Sequence, residues 1–534
     1  MYCQINAGGL RGLESYVALV EVDVSRGLPC FEMVGLLAGE VKEARERIRV
    51  ALKNAGVQIP AGKITVNISP AGIHKGGTAY DLPVALGIMA AQGQIRPKRL
   101  EGVLVAGELG LSANVKPIRG VLPMVMAAEA AGMRECILPF ENLEEGLLAG
   151  RVPVMGVGTL AEALAYLESD EANRQERRRK AERAAKSGTA CNCAKKEASE
   201  EPDFGMVQGM REAKYAAATA AAGFHSLLLT GPPGAGKTML ARCIPSILPP
   251  LTGEEQREVS AIYSVAGMLE QGKLLAKRPF VSPHHTVTPY ALAGSGSVPR
   301  PGMVTLAHRG VLFLDEMAEF KRSTLDILRQ PMEEGRIFLA KSAGTFVYPA
   351  SFLLVAATNP CPCGYYPDRN RCRCSSWEVR RYLSRISGPL LDRIDLFGFV
   401  NPSGFAQLME GAGGNKDSWD SEFLRSLVQE ARERQKVRYA GTGIGLNGRL
   451  GPGETLQYCR LGMKEQDFLE RLLRMQGCSA RACHRILRVA RTLADLEGRE
   501  EIGCGHLSQA FCYRPKQEMA DSMSGGTDAG RRTD

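Results

Sequence analysis

Long apolar runs are missing from this chain of 534 residues: no stretch approaches the roughly 18 uninterrupted apolar residues of a membrane span. The start, Met1 to Leu10, lacks the basic-then-apolar order of a signal peptide, so a cytoplasmic location without a membrane partner is expected. The 15 cysteines are too dilute for a disulfide scaffold, and in a reducing compartment clustered ones point to metal rather than bridges. Scattered ones, such as Cys30 and Cys243, read as buried hydrophobes. No fixed-period repeat occurs, and no strong charge bias: 67 Lys+Arg against 58 Asp+Glu leave a net +9, a mild preference for a polyanionic partner. What is present is ordinary for soluble protein, 44% hydrophobic and 23% charged, which excludes global disorder. The length implies about three or four domains.

From Tyr2 to about Leu167, short β-rich runs alternate with helical ones. Val17–Val24 and Lys63–Ile68 read as strands, Gly39–Asn54 and Leu82–Ala91 as helices, giving an α/β or α+β unit. Between Glu168 and Asp203 the composition turns to Arg, Lys, Glu, Ala and Ser, including Arg177-Arg178-Arg179-Lys180. With hardly any large apolar residue to dock it, this reads as a solvated, partly helical linker. Its Cys191 and Cys193 stand alone and are not expected to hold metal.

A second unit begins near Phe204, and in it Ser226–Leu229 reads as a buried strand feeding Gly231-Pro232-Pro233-Gly234-Ala235-Gly236-Lys237-Thr238 and a following helix. This is G-x-x-x-x-G-K-[ST] in the setting that the motif requires. Glycines let consecutive N–H groups face one phosphate cluster, Lys237 reaches the β- and γ-phosphates, and Thr238 can ligate Mg²⁺, so ATP with Mg²⁺ is the expected cofactor pair. A neighbouring strand, Val311–Leu314, ends in Asp315-Glu316. Asp315 suits the metal side and Glu316 the activation of water, which together point to hydrolysis. A third strand, Phe352–Ala357, ends in Thr358-Asn359, an amide placed to position the lytic water. Further on, Arg393 is flanked by Asp392 and Asp395.

Directly after Asn359 come Cys361-Pro362-Cys363, eight residues, then Cys372-Arg373-Cys374. Four thiols match the ligand count of a structural Zn²⁺, although C-x-C is tighter than the usual two-residue gap. Arg369, Arg371 and Arg373 are expected to lower the thiol pKa values. Four sulfur ligands leave no open coordination position, so any metal here is a staple.

The stretches GPPGAGKTMLAR, GVLFLDEMAEF, AATNPCPCGYYPD and RRYLSRISGPLLDRIDL resemble AAA+ ATPases, specifically the magnesium-chelatase-like YifB/ComM family, and the likeness covers nearly the whole chain. It implies a multidomain α/β protein: residues 1–167 like the Lon protease domain, a charged linker 168–203, an AAA+ module with a parallel sheet over 204–402, a helical lid over 403–515 reached through the Gly411–Gly414 patch, and a disordered tail 516–534. By the same likeness Asn359 is sensor 1, Arg393 an arginine finger acting in trans, and Arg481, in Cys478-Ser479-Ala480-Arg481-Ala482, sensor 2. The family implies a homo-hexameric ring and DNA as partner, because members in naturally competent bacteria act as branch-migration helicases.

Relatives also carry two hairpins lining the ring's pore. Phe280 to Met303, with His284-His285, and Arg336 to Pro349, with Lys341 near its turn, have room for both, and Lys341 is the expected DNA contact. On the Arg-rich helix near the carboxy terminus Arg481, Arg485 and Arg488 share one face, and are expected to be solvated or paired within the lid. The Lon-like unit has Ala79, beside Thr78, where such enzymes place serine, and Leu122 where lysine is expected; Thr78 with Lys75 is a poor substitute. A scaffold or protein-binding role is therefore expected for it, not proteolysis. A chelatase-type motor and a protein unfoldase are the competing readings of the whole chain.

Overall fold

The computed structural model describes residues 1–59, 62–192, 202–270, 272–296, 299–341, 344–401, 419–476 and 480–515. The Gly411–Gly414 patch, Cys193, the Cys191 side chain, Cys478-Ser479 and the tail from 516 lie outside them.

The first unit is a mixed sheet of β1 (Tyr2–Arg11), β2 (Glu14–Ser25), β3 (Cys30–Val34), β4 (Lys63–Ser69), β5 (Val103–Val105), β6 (Glu135–Pro139) and β7 (Val154–Val157), in the order β3-β4-β2-β1-β5-β6-β7. Alternation explains its central strands: Ala18, Val20 and Val22 of β2, and Ile64, Val66 and Ile68 of β4, are all buried. Helix α1 (Gly39–Asn54) buries Val41, Ala44, Ile48 and Leu52, one turn apart, and α2 (Asp81–Ala91) is buried along its whole length. Cys30 differs from expectation. It is exposed, because β3 is the edge strand, whereas Cys243 is buried as expected.

The segment expected as a solvated linker is also different. It forms helix α4 (Glu171–Asn192), whose first half docks on the first unit through a buried ionic network together with Ala181, which joins the apolar core. Arg174 is 1% exposed and donates to Glu135 at 2.7 Å and to the Leu167 carbonyl; Arg178 reaches the other Glu135 oxygen at 2.9 Å and the Tyr166 hydroxyl at 3.0 Å. A buried carboxylate shared by three guanidinium groups, those of Arg134, Arg174 and Arg178, satisfies charges that hydrophobic patterning does not register.

The second unit is built on a parallel sheet of β8 (Leu227–Thr230), β9 (Phe280–Val281), β10 (Val311–Leu314), β13 (Leu353–Thr358) and β14 (Leu396–Phe399), in the order β9-β10-β13-β8-β14. Every residue of β8, β10 and β13 is buried, which is why these strands read as continuous apolar runs. Strands β11 (Arg336–Lys341) and β12 (Gly344–Pro349) form a separate antiparallel hairpin. Helix α5 (Arg211–Gly223) covers one face of the sheet and packs on α8 (Ser421–Arg438) and α9 (Ala480–Leu496), so the carboxy-terminal helices share one apolar core with that face.

The two units touch at the β1–β2 turn. Leu13 packs with Phe346 and Tyr348 of the hairpin, and the Arg11 guanidinium lies 5.9 Å from the Phe346 ring centre. A second contact joins α3 (Val121–Ala130) to α7 (Gly253–Ala266), where Ser264 bonds to Glu145.

Candidate functional site

At the carboxyl ends of β8, β10 and β13, the expected P-loop residues meet the expected acids. Gly234 (φ +75°) and Gly236 (φ +81°) take left-handed conformations that carry the chain round the loop and into α6 (Lys237–Ile247), whose cap is Gly236. Lys237 is buried. Its ammonium donates to the carbonyls of Gly231 (2.7 Å) and Pro232 (2.9 Å) and to Asn359 Oδ1 (3.0 Å), while desolvation pushes its pKa below the usual lysine value. Thr238 Oγ1 donates to Asp315 Oδ2 at 2.8 Å. This hydroxyl–carboxylate pair is the oxygen-rich donor set that suits Mg²⁺ beside a P-loop.

Glu316 is turned out of the strand by a left-handed backbone (φ +50°), held there by its own N–H donating to Asp315 Oδ1 at 3.0 Å. A non-glycine residue in this region costs of order 1–3 kcal/mol, and such strain concentrates at functional sites. His285 Nδ1 lies 4.0 Å from Glu316 Oε2, a neighbour that sequence reasoning missed. The His pair was legible only as part of an insertion; nothing local ties it to an acid 31 positions on. Together Gly236, Lys237, Thr238, Asp315, Glu316 and Asn359 line a cavity of about 430 Å³.

Arg393 and Arg481 are elsewhere. Arg393 Nη2 pairs with Glu333 at 2.7 Å, Arg481 Nη2 with the same oxygen at 3.1 Å, and both line a second cavity of about 350 Å³ that shares no lining residue with the first. It lies at the amino ends of the strands, beside Ser226 before β8, Phe352 before β13 and Asp395 before β14. Asp395 anchors it: its carboxylate faces His225 (3.5 Å), Arg488 (3.7 Å) and Arg485 (3.8 Å). Burial would raise the Asp395 pKa, but the His225 hydrogen bond and the two guanidinium charges outweigh it and hold the carboxyl well below the usual range. Arg485 and Arg488 are therefore paired with Asp395, just before β14, and Arg488 also donates to the Gly448 and Leu450 carbonyls, the pairing expected within residues 403–515.

The four cysteines converge. Cys361 and Cys372 are buried, Cys363 and Cys374 half-buried, and all four Sγ atoms lie within 4.8 Å of one another. The Tyr365 backbone N–H is the main influence that lowers the Cys363 thiol to about 6. The neighbouring arginines do something other than expected: Arg371 stacks 4.4 Å from the Tyr365 ring centre and Arg369 5.3 Å from that of Tyr366.

Lys341, half-buried at the end of β11, lies 5.8 Å from the ring centre of Tyr290, an exposed residue of the Phe280–Met303 insertion. The β11–β12 hairpin thus meets the short helix Pro289–Ala293; among the described residues Phe280–Met303 forms no second hairpin, because Phe280–Val281 pairs within the parallel sheet. In the first unit Ala79 and Leu122 are buried, and Lys75, fully buried, donates to the Pro70 carbonyl of its own loop.

Models of "Magnesium chelatase, subunit ChlI" match residues 203–408, of "Subunit ChlI of Mg-chelatase" residues 20–142, and of "Magnesium chelatase, subunit ChlI C-terminal" residues 418–514. The chain is 40% identical over 505 residues to the uncharacterized protein YifB of Salmonella typhimurium, covering 94% of this chain and 95% of that one. It is 39% identical over 515 residues to the competence protein ComM of Haemophilus influenzae, covering 96% and 97%. Against Lon protease 2 of Bacillus subtilis it is 31% identical over 124 residues, 23% of this chain and 22% of that one. The chain belongs to the magnesium-chelatase-like YifB/ComM family of AAA+ proteins.

Proposed function

We propose that this protein is a Mg²⁺-dependent ATPase that works in the cytoplasm as a homo-hexameric ring and uses hydrolysis to remodel or translocate DNA. The observation that carries the ATPase reading is the single cavity in which Lys237, Thr238, Asp315, Glu316 and Asn359 meet. Lys237 sits where it binds the β- and γ-phosphates, and Asn359, already hydrogen-bonded to it, orients the attacking water. Thr238 and Asp315 would hold the magnesium, which would supply positive charge to offset that of the phosphates. Glu316 accepts the proton of that water, with His285 near enough to steady its carboxylate.

The ring reading is supported by the absence of an arginine from the lining of this cavity among the described residues. Arg393 and Arg481 face away from it at the opposite end of the strands, and a head-to-tail neighbour would present both to the γ-phosphate of the next subunit. Glu333 occupies them in the single chain. The DNA half of the reading rests on the Lys341–Tyr290 contact, a cation and an exposed aromatic suited to phosphate and base, together with the family resemblance. The Lys75 tie to Pro70 favours a scaffold or protein-binding role for the first unit over proteolysis.

The test is steady-state ATP hydrolysis with Mg²⁺ at fixed low salt, without DNA and with single-stranded, duplex and four-way-junction DNA. The expected result is turnover that DNA raises, abolished in Lys237→Ala with nucleotide binding, and in Lys341→Ala still present but no longer raised by DNA. Turnover indifferent to every DNA would overturn the DNA reading and favour a chelatase-type or protein-remodelling motor. Normal turnover by Lys237→Ala would overturn the site.

A further inference from the structure

The cysteine box is built onto the nucleotide machinery at two points. At one end Cys361 follows Asn359 by two residues, so the chain that leaves β13 passes directly from the Lys237 partner into the box. At the other, Gly364 (φ +86°) lies against the P-loop: a Cβ there would stand 2.4 Å from Pro233 Cδ and 2.7 Å from Cγ, so only glycine lets the two loops touch.

The sulfur geometry fits one metal. Cys361 Sγ is 3.3 Å from that of Cys363 and 3.8 Å from that of Cys372, and Cys363 and Cys372 are 3.5 Å apart. Tetrahedral zinc at about 2.3 Å from each sulfur requires sulfur–sulfur edges of roughly 3.8 Å. One sulfur is already supported by its own loop: the N–H groups of Gly364 (3.2 Å) and Tyr366 (3.4 Å) point at Cys361 Sγ, the bonds that metal-bound sulfur takes. The intervening loop is ordered independently by Cys372 N–H to the Asp368 carbonyl at 2.7 Å and by Arg369 to the Cys374 carbonyl at 3.2 Å.

We propose that Cys361, Cys363, Cys372 and Cys374 bind one Zn²⁺, and that this metal positions Asn359 and the Pro233 side of the P-loop for hydrolysis. The cysteines are positioning residues, since none reaches the cavity that takes the nucleotide. The second half rests on the ATPase reading. Phosphate affinity comes from Lys237, Thr238 and the loop amides, which the box does not supply, so metal loss acts on turnover more than on binding.

The experiment measures three quantities on the full-length protein: zinc content, affinity for a fluorescent ATP analogue, and kcat with KM. As purified, the protein carries about one zinc per chain, and Co²⁺ exchanged into it gives the visible bands of a tetrahedral tetrathiolate. Cys372→Ser loses the metal, and its kcat falls by about 10- to 100-fold, the effect of a misplaced catalytic group, while KM and analogue affinity stay within about 3-fold. Should that variant fail to fold, removal of zinc from the wild-type protein with a mercurial and restoration with Zn²⁺ must lower and return kcat in step. Protein that neither carries nor takes up zinc, or that carries iron instead, overturns the site. Zinc-free protein with unchanged kcat, or with kcat and analogue affinity lost together, overturns the positioning role. A chain that binds zinc and the analogue yet hydrolyses no ATP contradicts the ATPase reading, not the metal site.

Discussion

The two cavities at opposite ends of one parallel sheet differ in how they are assembled. The phosphate cavity draws on three strand ends, each carrying its residues in a contiguous motif, and it is rich in oxygen acceptors with Lys237 as its cation. The arginine cavity draws on residues from Phe224 to Arg488 and gathers Arg393, Arg481, Arg485 and Arg488 around two acids, Glu333 and Asp395. Each has what the other lacks. On the proposed ring, charges so divided would be completed where the amino edge of one subunit met the carboxyl edge of the next, and turnover would depend on assembly.

The largest effect that would break this comparison is at Arg393. Arg393→Ala should lower kcat by about 10³-fold or more, the usual contribution of an arginine finger, with affinity for the ATP analogue retained. A loss of affinity in the isolated subunit would mean that Arg393 serves its own cavity. Next comes the anchor. Asp395→Asn leaves Arg485 and Arg488 without their carboxylate, and thermal or urea unfolding should report a loss of about 3–5 kcal/mol, the cost of breaking a buried ion pair. Because the native Asp395 pKa is depressed, its contribution is complete above the unfolded value of about 4 and is lost only as pH falls through the lower native value. The difference between Asp395→Asn and wild type should therefore be flat from neutral pH down to about 5 and shrink in stronger acid. The smallest effect should be at Glu333, which is 46% exposed and pairs with Arg393 and Arg481 only where phosphate does not. Glu333→Gln should change kcat by less than about 5-fold, in keeping with an exposed ion pair.

How far the sequence could be read follows from the same contrast. Lys237, Thr238, Asp315, Glu316 and Asn359 were legible because the chemistry of a P-loop ATPase fixes residue type at strand ends that are themselves apolar runs. The meeting of Arg393 with Arg481 was not, because it depends on the angle at which α9 crosses α5 and α8, to which no local pattern responds. The docking of α4 was hidden for a related reason: Glu135, Arg174 and Arg178 form a buried network in a segment whose composition reads as solvated. The boundaries of α1 coincided with the expected Gly39–Asn54 because its apolar residues repeat at helical spacing, whereas the exposure of Cys30 depends on β3 being at the edge of its sheet, a property of strand order rather than of strand sequence.

If the two cavities are halves of one interfacial site, ATP hydrolysis by mixtures of Glu316→Gln with Arg393→Ala reports it directly. Each variant alone should be nearly inactive, Glu316→Gln because it binds ATP without deprotonating water, at a cost of about 10²- to 10⁴-fold. In mixed rings, some interfaces join an intact Glu316 to a neighbour's intact Arg393, so mixing should restore measurable turnover, greatest near equal proportions. Mixtures that form rings yet stay as inactive as the separate variants would contradict it.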